Sequence, residues 1–200
     1  MHGRRAPSIG IDEMAETHSQ LERIQQVLGA KIVETLRPQG DDVMILNRAG
    51  LRESFLTLKE NPELDFDFLS DITAVDYWQK KEPRFEVVYQ ILSRARRARL
   101  RVRVPVPEND PSVESLTPIW RGANFMEREV WDLFGIRFID HPDLRRVLLY
   151  DEFRGHPLRK DYPVNLTQPR VPERKVEGTF VDERSHNKLM RLKKSLGSKI

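Results

Sequence analysis

The chain has 200 residues, enough for one compact domain with some extended chain left over. It holds no cysteine, which excludes disulfides and removes the usual ligands of iron–sulfur clusters and structural zinc. The net charge of +3 suits an acidic neighbour without demanding nucleic acid.

Residues 1–11 carry no apolar pattern and read as a flexible N-terminus. Asp12 to Leu28 has helical spacing through Thr17, Leu21, Ile24 and Leu28, with Gly29 placed to end it. Two short strands, Lys31 to Leu36 and Val43 to Asn47, flank the turn Arg37 to Asp41. Leu51, Phe55 and Leu58 mark a second helix that stops before Pro62. Phe66 to Tyr77 reads as a strand whose two-residue rhythm is weakened by Asp67, Asp71 and Asp76. Phe85, Val87, Tyr89 and Ile91 then form a central strand, followed by Leu100, Val102 and Val104 alternating with Arg101 and Arg103. Asn124 with Glu127 three residues later suggests a capping box. Met126, Val130, Leu133 and Phe134 would be the buried stripe of that helix, and Gly135 its left-handed end. Ile136 to Ile139 offers a last short strand.

The order α-β-β-α-β-β-β-α-β favours hairpins over crossovers. It implies an α+β domain over 12–150, a two-layer fold with a mostly antiparallel sheet and helices on one face. From Asp151 onward Pro157, Pro163, Pro169 and Pro172 break any regular element, so 151–200 reads as an extended C-terminal arm, with a terminal helix over Asp182 to Leu196. No apolar run approaches the roughly 18 residues needed to cross a bilayer, and no apolar segment follows Arg4 and Arg5. A cytoplasmic location is therefore expected.

The densest information lies between Glu127 and Tyr162. Glu127, Arg128, Glu129, Trp131, Asp132 and Gly135 come first, then His141, Pro142, Asp143, Arg145 and Arg146, then Gly155, His156, Arg159, Lys160, Asp161 and Tyr162. Such a mixture suits charges locked against each other or against a partner. Catalysis is the weaker reading, because Glu127 and Glu129 cannot share a helical face while Arg128 and Asp132 are spaced as an ion pair. His141 with Asp143, or His156 with Asp161, lacks a third ligand at metal-site spacing, and turn formation before Pro142 and Pro157 accounts for both histidines. The arginines from Arg94 to Arg103 have no interleaved aromatic residue to stack a base. No phosphate-cradling glycine motif occurs, so Trp120, Phe125, Trp131 and Phe134 read as core or interface anchors. The basic C-terminal segment lacks aromatic anchors for lipid.

The run E-R-E-V-W-D-L-F-G-I-R-F, then H-P-D-L-R-R-V-L, then G-H-P-L-R-K-D-Y-P resembles the signature of the 30-kDa subunit family of respiratory complex I, the NADH–quinone oxidoreductase. F-L-S-D-I-T-A-V-D-Y and R-F-E-V-V-Y-Q-I-L-S are similar to the family's two preceding strands, with Phe125 where relatives often carry tryptophan. The resemblance implies a two-layer α+β domain in a hydrophilic subunit of the peripheral arm, on the cytoplasmic side of the cell inner membrane. It implies no cofactor on this chain, with FMN and iron–sulfur clusters in partner subunits that carry electrons from NADH to quinone. The implied partners are the quinone-site (49-kDa-type) subunit and the cluster-bearing subunits, with membrane contact only through the complex and no nucleic acid. Arg145, Arg146, Arg159, Lys160 and Asp161 are then the expected contacts across the junction, and Arg146→Ala is expected to weaken assembly more than folding. The alternatives are the equivalent subunit of a membrane-bound hydrogenase or another quinone-coupled dehydrogenase and, more distantly, a nucleic-acid-binding module.

Overall fold

The computed structural model describes residues 11–171. The predicted termini, including the helix over Asp182 to Leu196, lie outside them. The described elements are α1 (Ile11–Leu28), β1 (Ile32–Leu36), β2 (Val43–Leu46), α2 (Leu51–Glu60), β3 (Phe68–Asp76), β4 (Phe85–Ser93), β5 (Ala98–Val106), β6 (Ser112–Glu114), α3 (Ala123–Phe134) and β7 (Arg137–Ile139). Five strands form one sheet in the order β1-β2-β5-β4-β3. Three of its four pairings are antiparallel and β2–β5 is parallel, so the α+β, mostly antiparallel reading holds.

The alternation of β4 and β5 places Phe85, Val87, Tyr89 and Ile91 beside Val106, Val104, Val102 and Leu100 on one face. There they share a single core with Ile24 of α1, Phe55 and Leu58 of α2, and Val130 and Phe134 of α3. Phe55 joins the layers, lying 4.9 Å from the Tyr89 ring and 5.9 Å from that of Trp120. The irregular rhythm of β3 has a local cause. A bulge between Leu69 and Asp71 resets the register, so Leu69, Ile72 and Ala74 all reach the core.

One expectation needs correcting. Asn124 does not cap α3: the helix begins at Ala123 after Gly122, and Glu127 turns inward rather than back toward Asn124. The expected short strand after α3 is present as β7, outside the main sheet. It pairs in parallel with β6, a three-residue strand too short to carry a recognisable alternation.

The arm boundary also moves. Beyond β7 the described chain has no further helix or strand, yet residues through Gln168 belong to the same compact unit as the sheet. The chain from 151 to 168 is irregular because its prolines forbid regular pairing, and it folds back because its polar groups have partners on the domain.

Candidate functional site

The chemistry begins at the C-terminal end of α3. A helix leaves its last four carbonyls without partners of its own, with a partial negative charge concentrated there. In α3 these are Trp131, Asp132, Leu133 and Phe134, and the signature supplies a donor to each. Gly135 N–H donates to Trp131 O at 2.8 Å. His156 Nδ1 lies 2.9 Å from Asp132 O, Leu158 N–H donates to Leu133 O at 3.0 Å, and Arg159 Nε donates to Phe134 O at 2.5 Å. The G-H-P-L-R stretch is thus a cap reaching α3 from more than twenty residues away, and Arg146 and Arg159 are cations placed where the helix dipole favours them.

Gly135 is required by this arrangement. Its φ is +73°, and a Cβ there would stand 2.5 Å from His156 Cδ2 and 2.7 Å from an Arg159 nitrogen. Gly155 is similar, with φ of +87° and the Tyr162 ring 2.8 Å from a built Cβ. Tyr162 in turn stacks on Phe153 with ring centroids 6.2 Å apart and donates to Arg154 O.

Asp132 organises the second half of the clasp. Its fully buried carboxylate accepts Arg146 at 2.5 Å through Oδ1, and the backbone N–H groups of Val147, Leu148 and Leu149 at 3.1, 2.9 and 2.9 Å through Oδ2. Burial alone would raise its pKa, but the Leu149 N–H, the Arg146 guanidinium and the other two N–H groups outweigh it and hold the carboxyl below its ordinary value. Arg146 also donates to Phe153 O and Gly155 O and lies against the faces of Trp131 and Phe153. Arg128 donates to Arg145 O and Arg146 O. The expected Arg128–Asp132 pair therefore does not form, because each residue finds more partners in the 145–149 loop.

A third cluster ties the exit to the sheet. Arg84, buried at the head of β4, pairs bidentately with Asp76 at 2.9 and 2.8 Å and also meets Glu108 at 2.5 Å and Asp161 at 2.6 Å. The hydrogen bonds Arg84 donates to Asp76 and then to Asp161 raise its pKa, so this guanidinium stays charged. Lys160 N–H donates to Asp76 Oδ2 at 2.8 Å, and both Arg84 and Arg159 lie against the Phe85 ring. Spacing in the sequence gives Arg84 no role. Its one signal is an arginine at the start of a strand otherwise buried on both faces.

The histidines act in turns. His141 Nδ1 accepts the Asp143 N–H at 3.0 Å and Nε2 faces Asn124 O at 3.1 Å, while Asp143 is paired with Arg145. Burial first, then the neighbouring Arg159 and Arg146, keep the His156 pKa below its usual value. Of the five residues expected to reach a partner, Arg146, Arg159 and Asp161 are engaged within the chain, while Arg145 and Lys160 keep exposed side chains. The expectation for Arg146→Ala changes accordingly: the loss falls on the fold. Glu129 and Pro142 are exposed.

Around the clasp, large apolar side chains face outward. Phe125 is 64% exposed, Leu148 60% and Leu158 46%, and Val164 and Leu166 are exposed as well. Among the described residues no helix is long and apolar enough to cross a membrane.

Comparison with known proteins agrees with this geometry. The model of the family described as the respiratory-chain NADH dehydrogenase 30 Kd subunit matches residues 44–168, which run from β2 through the whole clasp and leave out α1 and β1. A subunit of the NADH-quinone oxidoreductase of Trichlorobacter lovleyi is 44% identical over 151 residues, 76% of this chain and 92% of that one. Its counterpart in Geobacter sulfurreducens is 40% identical over the same shares. A trypsin-resistant fragment of Nqo5 superposes with a TM-score of 0.55 at 37% identity, covering 62% of this chain and 99% of the fragment. A chain of an archaeal membrane-bound sulfane sulfur reductase shares the fold, with a TM-score of 0.64 over 75% of this chain and 87% of that one at 21% identity. The chain belongs to the 30-kDa subunit family of the respiratory-chain NADH dehydrogenase, complex I.

Proposed function

We propose that this chain is a structural, cofactor-free subunit of the peripheral arm of a proton-translocating NADH–quinone oxidoreductase. It braces the quinone-site subunit and the cluster-bearing subunits beside it, on the cytoplasmic side of the membrane. Electrons pass from NADH through FMN and iron–sulfur clusters of those partners to quinone, and not through this chain. The observation that carries this reading is the division of labour in the signature. Arg128, Asp132, Arg146, Arg159 and Asp161 are engaged in folding 141–162 onto the domain, while Phe125, Leu148, Leu158, Val164 and Leu166 stay exposed. Large apolar side chains left exposed on an ordered support favour protein contact. The absence of cysteine agrees with redox centres held elsewhere.

The test is affinity purification of the full chain from its own membranes, as wild type and as the double variant Phe125→Asp with Leu148→Asp. The wild type should bring down the quinone-site and cluster-bearing subunits with quinone reductase activity. The variant should lose them while the isolated chain melts within about 2 °C of wild type, since exposed positions contribute little to folding. Co-purification unaffected by both aspartates would refute this use of the face.

A further inference from the structure

Glu127 is the signature residue that the clasp leaves unexplained. Its carboxyl is fully buried under the first turns of α3. Oε1 accepts the Leu116 N–H at 2.6 Å and Oε2 lies 2.7 Å from Ser115 Oγ. Ser115 Oγ is in turn 2.8 Å from Thr117 Oγ1, and Thr117 is partly exposed. A line of oxygens thus runs from the buried carboxyl to the surface.

The charged groups around it do not close on the carboxylate. From α2, Arg52 attracts it, but its guanidinium is held by Ser115 O, Ile139 O and Asp140. From β6, Glu114 accepts the Arg52 N–H and adds negative charge to the surroundings. Tyr89 of β4 contributes a buried neutral phenol, its pKa pushed up by burial and by Glu127 and Glu114. His141 Nε2 stands 4.0 Å away, but its Nδ1 accepts a backbone N–H and its Nε2 faces Asn124 O at 3.1 Å. On α3 itself, Arg128 points to the carbonyls of Arg145 and Arg146.

We propose that Glu127 is a buried proton-exchange site fed through the hydroxyls of Thr117 and Ser115, and that its proton sets how firmly α3 is seated. The hydroxyl line is complete in both states. With Glu127 ionised, Thr117 donates to Ser115 and Ser115 donates to the carboxylate. With Glu127 protonated, its O–H donates to Ser115 Oγ and Ser115 donates to Thr117. Conversion moves one proton from solvent onto Thr117, one from Thr117 to Ser115 and one from Ser115 to Glu127, with no heavy atom displaced. Each hydroxyl oxygen gains one O–H bond as it gives up another, and the net result is one proton bound at Glu127. Burial, partly opposed by the Ser115 and Leu116 hydrogen bonds, lifts the carboxyl to a pKa of about 7. The neutral form is the one this pocket accommodates. Above that pH a charge only partly offset by Ser115, Leu116 and Arg52 sits beneath the helix whose far end anchors the clasp. The inference concerns this chain alone and stands whether or not the docking role holds.

The folded pKa lies above the ordinary 4.5, so the stabilising contribution is complete below about pH 4.5, declines as pH rises, and is gone above about pH 7. Urea unfolding of the full chain and of Glu127→Gln, a neutral isostere, isolates it. Between about pH 5 and 6.5 the wild-type unfolding constant divided by that of the variant should rise nearly tenfold per pH unit, then level off. A ratio independent of pH would overturn the proposal. Should the glutamine variant fail to fold, the carboxyl carbon resonance of Glu127 in the wild type carries the same test. It should titrate near pH 7, and Ser115→Ala, which removes a donor to the carboxylate, should move that midpoint upward. A Glu127 midpoint in the ordinary range below about 5, or one unmoved by Ser115→Ala, would refute the site or its hydroxyl path respectively.

Discussion

Arg146→Ala tests the clasp most directly. The side chain is 13% exposed and its partner Asp132 is fully buried, so screening by water is slight. Removing the guanidinium leaves a buried carboxylate with three backbone N–H donors and no cation, and leaves Phe153 O and Gly155 O without this donor. Breaking a buried pair from one side costs about 3–5 kcal/mol. The surviving N–H groups still solvate Asp132, so the lower end of that range applies. Against a total stability of about 5–15 kcal/mol this is a large fraction. Arg146→Lys keeps the charge but not the fork that reaches Asp132, Phe153 and Gly155 together, and should cost roughly half as much. Urea denaturation followed by tryptophan fluorescence measures both, and limited proteolysis reports whether 141–168 opens first. An alanine variant within about 0.5 kcal/mol of wild type, with the loop still protected, would show that the clasp does not hold the fold.

Gly135→Ala should destabilise by about 1–3 kcal/mol because its φ is positive and His156 occupies the space, whereas Gly122→Ala, with φ of −63° and open surroundings, should be nearly neutral in the same melts. Arg84→Ala should lower stability by at least about 3 kcal/mol, while Asp161→Ala, whose partner keeps Asp76 and whose own side chain is 40% exposed, should cost about 1 kcal/mol or less. Asp132, Asp76 and Asp161 all have folded pKa values below the ordinary 3.8, so their stabilisation is complete above about that pH and is lost as pH falls through the lower folded values. Acid titration by circular dichroism should place the onset of unfolding below about pH 4, and Asp132→Asn should flatten the slope there.

Local patterns carried the main sheet. The two-residue alternation of Phe85 to Ile91 and of Leu100 to Val104 gave both strands and their antiparallel pairing, and Leu51, Phe55 and Leu58 gave α2. Pairings between distant segments left no such trace. Nothing near Val43 or Arg101 reveals that β2 and β5 run parallel, and β6 becomes a strand only because β7 lies beside it. The same distinction explains the site. The chemistry of Glu127 to Tyr162 was legible as a dense set of paired charges, but the pairing was inferred from spacing within one helix. An exposed helical pair is worth about 0.3–0.5 kcal/mol, whereas a buried carboxylate collecting Arg146 and three N–H groups is worth several times that. Asp132 therefore abandons Arg128 for partners fourteen to seventeen residues away.

This competition separates two roles that a single run of charged residues merges. A residue that caps α3 or neutralises Asp132 cannot also give its donors to another polypeptide without releasing the loop. Changing Arg146 or Arg159 would therefore impair assembly by unfolding the surface, and would say nothing about which atoms touch a partner. Substitutions that leave the clasp intact are those at exposed side chains outside its bonds: Phe125, Leu148 and Leu158 to test burial, and Lys160 to test charge. The clasp also makes such a surface effective. An irregular segment ordered before it meets a partner does not lose that conformational entropy on binding, so more of the apolar burial appears as affinity. The prolines that forbid regular structure after Asp151 and the arginines that pin the segment to α3 then hold Leu158, Val164 and Leu166 exposed on an ordered segment without a helix or strand of its own.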